Sequence, residues 1–152
     1  MKESPQTRKL EQILRSSKLV AGGFMGDDYR SFTEVIETDC FEISKLGYTT
    51  EQIAERMQEI TNRAKTGLGT WIKIDDKLKA AVEEAKGSLV CPWPHLGRYL
   101  KRVTTVKRLD TGETIGWSDL NIHLIAKHSF FEGRGAMFRI EPKKLINIIF
   151  YK

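Results

Sequence analysis

Only two cysteines, Cys40 and Cys91, occur in this chain of 152 residues, too few for the disulfide framework on which small secreted domains depend. Both are expected as free thiols in a reducing compartment, with Cys91 also a candidate metal ligand. Long apolar runs are missing too. The run that ends in Ile148-Ile149-Phe150-Tyr151 falls far below the ~20 residues of a membrane span. Met1-Lys2-Glu3-Ser4-Pro5 leads into a charged amphipathic stretch without the apolar centre of a secretion signal. The expectation is a cytoplasmic protein with no membrane partner. No internal repeat, low-complexity tract or highly specific catalytic motif is present. The glycines of Gly22-Gly23-Phe24-Met25-Gly26-Asp27-Asp28 follow a helical pattern instead of a strand, no Gly-Lys-Ser/Thr occurs, and two aspartates would repel phosphate. That segment is expected to be a structural turn.

What remains is the composition of a soluble globular protein, 40% hydrophobic and 30% charged, with a core to bury. Lys and Arg number 25 against 20 Asp and Glu, a net charge of +5 that permits an anionic partner without demanding one. The charge is unevenly divided. Residues 1–85 hold 13 basic and 15 acidic side chains, whereas residues 86–152 hold 12 and 5. The basic half also contains all three histidines.

Helical spacing of Leu10, Ile13 and Leu14 predicts a first helix over residues 6–19. A second, capped by Asp28 or Ser31, buries Phe32, Val35, Ile36, Cys40 and Ile43 and stops before Gly47. Thr49 and Gln52 form a capping box ahead of Ile53, Met57, Ile60 and Ala64, which predicts a third helix. From Thr70 the β-branched and aromatic content rises, and Asp75-Asp76 marks a hairpin turn. Residues 77–86 read both ways, as helix from Ala80, Ala81, Glu83, Glu84 and Ala85, or as a returning strand. A hairpin over residues 99–117 turns at Asp110-Thr111-Gly112-Glu113. Ser118 caps a further helix, residues 137–140 read as a short strand, and Pro142 opens a last helix. The fold class is α+β: a helical N-terminal part, residues 1–69, then a mixed hairpin and helix part, residues 70–152, sharing one core.

Three constellations could carry chemistry. Cys91, His95, His123 and His128 are all of zinc-ligand type, and a loop, hairpin and helix order resembles small zinc modules of the ββα and treble-clef kinds over residues 91–128. About 27 residues separate the two pairs, and His128 falls about 140° around the helix from His123, so the two share a face only if the helix distorts. Without metal, His128 is simply a cation near a helix C-terminus. A second group is His128, Glu132, Arg134 and Arg139. Glycines flank Arg134, and a guanidinium matches carboxylate or phosphate in two prongs; Glu132 and His128 could exchange protons. The third is the basic strand around Lys101 and Arg102, a candidate anion or nucleic acid surface. Alternation divides its charges, with Tyr99 and Lys101 on one face and Arg102 on the other. That splitting argues against one phosphate-tracking stripe, and lysine and arginine also protect edge strands from pairing.

The segments Val20-Ala21-Gly22-Gly23-Phe24, Cys91-Pro92-Trp93-Pro94-His95 and Trp117-Ser118-Asp119-Leu120-Asn121-Ile122-His123-Leu124-Ile125, with the loop from Phe130 to Gly135, resemble a group of small uncharacterised bacterial cytoplasmic proteins. The resemblance spans most of the chain and implies a bacterial soluble protein; it carries no activity. The residues themselves lead to a binding or regulatory protein that recognises an anionic small molecule or nucleic acid through Lys101, Arg102, Arg134 and Arg139, with Zn2+ as a candidate structural metal. The alternative is a small enzyme acting on an acidic metabolite through His128, Glu132 and Arg134. A concave pocket where those three converge would mark the enzyme, and an open basic face the binding module.

Overall fold

In the computed structural model, which describes residues 4–151, three helices precede an antiparallel sheet and two helices follow it. They are α1 (Pro5–Arg15), α2 (Phe32–Lys45), α3 (Thr50–Ala64), β1 (Ile72–Lys73), β2 (Leu78–Val90), β3 (Arg98–Arg108), β4 (Thr114–Ser118), α4 (Asp119–His128) and α5 (Pro142–Ile149). The protein is therefore α+β, and the sheet is a meander with strand order β1-β2-β3-β4. Among the described residues no helix is long and apolar enough to cross a membrane.

Local chemistry sets most of the boundaries. Ser31 accepts a hydrogen bond from the Glu34 amide at the start of α2, and both halves of the Thr49–Gln52 capping box form at α3. Ser118 and Asn121 cap α4 in the same reciprocal way. α1 stops at Arg15, short of residue 19, because the Phe24 amide donates to the Leu14 carbonyl at 2.7 Å and pulls the chain back across the helix end. Of residues 77–86, ambiguous from propensity, all but Lys77 lie in β2. Their amides and carbonyls pair with β3 from Leu78↔Arg108 to Glu84↔Arg102, and this tertiary pairing overrides the helical preference of the alanines and glutamates. Residues 137–140 do not form the expected strand. Arg139 donates its amide to Ala136 and Ile140 to Phe131, so the segment folds back in turns and its backbone is already satisfied.

Two apolar clusters meet at α4. The larger joins Ile53, Met57 and Ile60 of α3 to Val106 and Trp117 of the sheet, Ile125 of α4 and Leu145 and Ile149 of α5. Its buried polar groups are mutually satisfied: Trp117 Nε1 donates to Thr61 Oγ1 at 2.9 Å, which lies 2.7 Å from Thr104 Oγ1. The smaller joins Leu14, Phe24 and Phe32 to Leu120, Leu124 and Phe130, and includes the buried Cys91. The glycine turn of residues 22–28 packs on residues 133–136 by backbone bonds, Gly133 amide to Phe24 carbonyl and Asp27 amide to Arg134 carbonyl. Gly26 has φ +57°, and a Cβ there would collide with the backbone of Gly135 and Ala136.

One irregularity shapes the site. Glu84 pairs with Arg102 and Ser88 with Leu100, so residues 85–87 of β2 face Lys101 alone. This bulge, with Gly87 at φ +99°, twists the paired strands. Strict alternation sends Tyr99 and Arg102 to opposite faces. Beside the bulge both reach α4 instead, Tyr99 through His123 at 2.9 Å and Arg102 through Asp119 at 3.2 Å.

Candidate metal centre

The loop between β2 and β3 is held by Pro92 and Pro94, which fix φ and remove two backbone donors. It carries Cys91 and His95 to the last two turns of α4, where His123 and His128 project. One donor atom from each of these four residues lies within 4.8 Å of the other three. Cys91 Sγ is 3.5 Å from His128 Nε2, and His95 Nε2 is 3.3 Å from His128 Nε2 and 3.1 Å from His123 Nε2. Tetrahedral zinc with nitrogen at about 2.0 Å and sulfur at about 2.3 Å requires edges of about 3.3 Å between nitrogens and about 3.5 Å from sulfur to nitrogen. The three measured edges match those lengths.

The expected obstacle, the 140° between His123 and His128, is overcome without distorting the helix, which is regular through His128. The rings are long enough to lean together, with centroids 5.1 Å apart, and His95 from the loop fills the gap between them. Ser129, just beyond, takes the left-handed conformation, φ 54°, and turns the chain away.

Surrounding groups orient the rings. His95 Nδ1 is 3.0 Å from the Leu96 carbonyl, to which it can only donate, and this leaves its Nε2 as the lone-pair nitrogen. His123 Nδ1 bonds the Tyr99 hydroxyl, the outer-shell arrangement that fixes a ligand imidazole. Trp93 stacks on His128 with centroids 4.1 Å apart and planes 7° from parallel. Burial, then the neighbouring histidines, pushes His128 down to about 4 and lowers His123, whose neighbours are His95 and Lys127. Both are thus neutral, as ligands must be. Burial pushes the Cys91 thiol up, so a metal would have to displace its proton.

The remaining candidates are dispersed. Glu132 is buried, only 4% exposed, and its Oε2 accepts from Asn121 Nδ2 at 2.9 Å. Burial raises it to about 8, against that hydrogen bond and the charge of Arg139. Arg139 is committed to Asp39 and Glu141 and donates to the Glu132 carbonyl. Arg102 is paired with Glu84 and Asp119. Arg134 is exposed, its amide donating to Asp28, and Lys101 is exposed without an ion pair among the described residues. Among the described residues no hydrogen bond or ion pair joins the side chains of His128, Glu132 and Arg134, and Glu132 lines a cavity whose walls include neither of the others. Cys40 is half-buried on α2, its thiol within hydrogen-bond reach of Ser129, and it is not one of the clustered donors. Tyr99, Trp93 and Asn121, which set the rings and the carboxyl, carry no signal in the sequence beyond their proximity to ligands. Comparison with known proteins returns no matching family model, no matching curated protein and no matching solved structure.

Proposed function

We propose that this chain is a small metal-organised binding protein, in which Zn2+ held by Cys91 Sγ and the Nε2 atoms of His95, His123 and His128 fastens the 91–97 loop to α4. The observation that supports it is the convergence of every histidine in the chain with one of its two cysteines. One thiolate and three imidazoles, with three of their donor–donor edges at tetrahedral length, suit zinc. Four protein donors complete its shell, so the ion's role is structural and no position is left for a substrate. What the metal organises is the end of β2 and β3, beside which Lys101 stands as an uncommitted cation. Anion recognition falls to Lys101 and Arg134, since Arg102 and Arg139 are already neutralised by carboxylates.

The test is thermal unfolding of untagged protein with and without a chelator. Saturating zinc raises the midpoint by about 10 °C, from about 4 kcal/mol of binding free energy on a domain of this size. Cys91→Ala abolishes most of that increment. A midpoint indifferent to zinc in the wild type refutes the reading.

A further inference from the structure

A cavity of about 310 Å³ opens between the 19–24 turn, the bulged part of β2 and β3, the start of α4 and residues 137–138. Its size falls at the lower end of ligand sites. Val20, Phe24, Leu89, Val103, Leu120 and Phe138 give it an apolar wall. Three charged residues line it: Glu132, Lys101 and Arg102. None of the four metal donors does.

The polar groups are unequally engaged. Arg102 spends its guanidinium on Glu84 and Asp119, whereas Lys101 has no ion pair among the described residues. Glu132 is 96% buried by the complement of its 4% exposure, and only one of its oxygens is bonded. Oε2 accepts from Asn121; Oε1 has no hydrogen-bond partner among the described residues and is not sealed from solvent. Since the Asn121 amide occupies Oε2 as an acceptor, the proton of the neutral acid belongs on Oε1. The cavity thus offers an apolar body, one donor at its inner wall and one unmatched positive charge. An ammonium ligand would face Lys101, and a wholly apolar ligand would leave the Glu132 hydroxyl unpaired.

We propose that this cavity binds a small carboxylate with an apolar body and a second oxygen, a keto or hydroxy acid, whose carboxylate pairs with Lys101 and whose second oxygen accepts from Glu132 Oε1. The assignment rests on the reading of the chain as an anion-binding protein and is independent of its metal. At the bulge Lys101 stands opposite residues 85–87 of β2, and its side chain passes over Gly87, where a Cβ would meet Nζ at 4.0 Å.

Phenylpyruvate is the probe, titrated into the full-length wild type at pH 7 while the amide resonances of Val20, Phe24, Leu89 and Val103 are followed. Those amides shift together and saturate at millimolar probe or below. Phenylpropanoate, which lacks the keto oxygen, and the Lys101→Met variant with phenylpyruvate each bind about tenfold more weakly, the worth of one hydrogen bond or exposed charge pair. Phenethylamine does not saturate. Glu132→Leu loses about tenfold, and Glu132→Gln, which keeps a donor there, loses less. Phenethylamine binding as tightly as phenylpyruvate, equal affinity for the two acids, or no shift at those amides overturns the assignment. Inorganic phosphate serves as the arm that separates the two readings: phosphate shifting surface amides while no acid enters the cavity overturns the cavity site and leaves anion binding in place.

Discussion

The buried carboxyl of Glu132 makes a sharp demand on the pH dependence of stability. Burial raises Glu132 to about 8 in the folded protein, against an ordinary value of 4.5. Between those values the native state binds a proton that the unfolded chain has released, so stability falls as pH rises through the window and levels off above about pH 8. His123 and His128 act in the opposite sense, their lowered values making stability rise with pH, but only up to the ordinary value of 6.5. Above it Glu132 stands alone among the three. From 6.5 to about 8 the slope of 1.36 kcal/mol per pH unit gives a loss of about 2 kcal/mol. Glu132→Gln has no proton to lose and keeps a donor and an acceptor in the same volume. The measurement is urea unfolding of both proteins, metal-free, at half-unit steps between pH 6.5 and 8.5. The variant gains about 2 kcal/mol on the wild type across that range. A stability difference that stays constant with pH would show that Glu132 is ionised in the folded protein and refute the argument.

Other perturbations test the packing. Thr61→Val strands the Trp117 indole N–H and the Thr104 hydroxyl in the core, and costs about 2 kcal/mol by urea unfolding. Arg139→Met leaves the 4% exposed Asp39 carboxylate without its cation, and lowers stability by about 3 kcal/mol at pH 7 by urea unfolding. Gly26→Ala places a methyl against the Gly135 and Ala136 backbone at φ +57°, and lowers the thermal midpoint by about 5 °C or more.

Where structure follows from neighbours in the chain, the sequence is legible. The Thr49–Gln52 box, the Ser118 cap, the Asp110 to Glu113 turn and Pro142 as the first residue of α5 each act within a few residues. The four metal-type donors were also legible, by chemical kind and by their gathering in the basic half. Their convergence was not, because it depends on a loop that brings His95 between two helical rings. Helical-wheel geometry alone separated His123 from His128 by treating each side chain as a direction instead of a reach. The bulge opposite Lys101 is equally hidden: it exists only in the pairing of β2 with β3, beside which Tyr99 and Arg102 both reach α4. The partners of the charged candidates are hidden for a related reason. Arg102 and Arg139 look available in sequence, but their carboxylates, Glu84 and Asp39, come from 18 and 100 residues away.

Zinc-edge X-ray absorption of the untagged, zinc-loaded protein shows whether Cys91, His95, His123 and His128 hold one metal ion together. One zinc per chain is expected, with one sulfur at about 2.3 Å and three imidazole nitrogens at about 2.0 Å, and the sulfur shell is lost in Cys91→Ala. Zinc bound without a sulfur neighbour, or none retained at one equivalent, would contradict this ligand set.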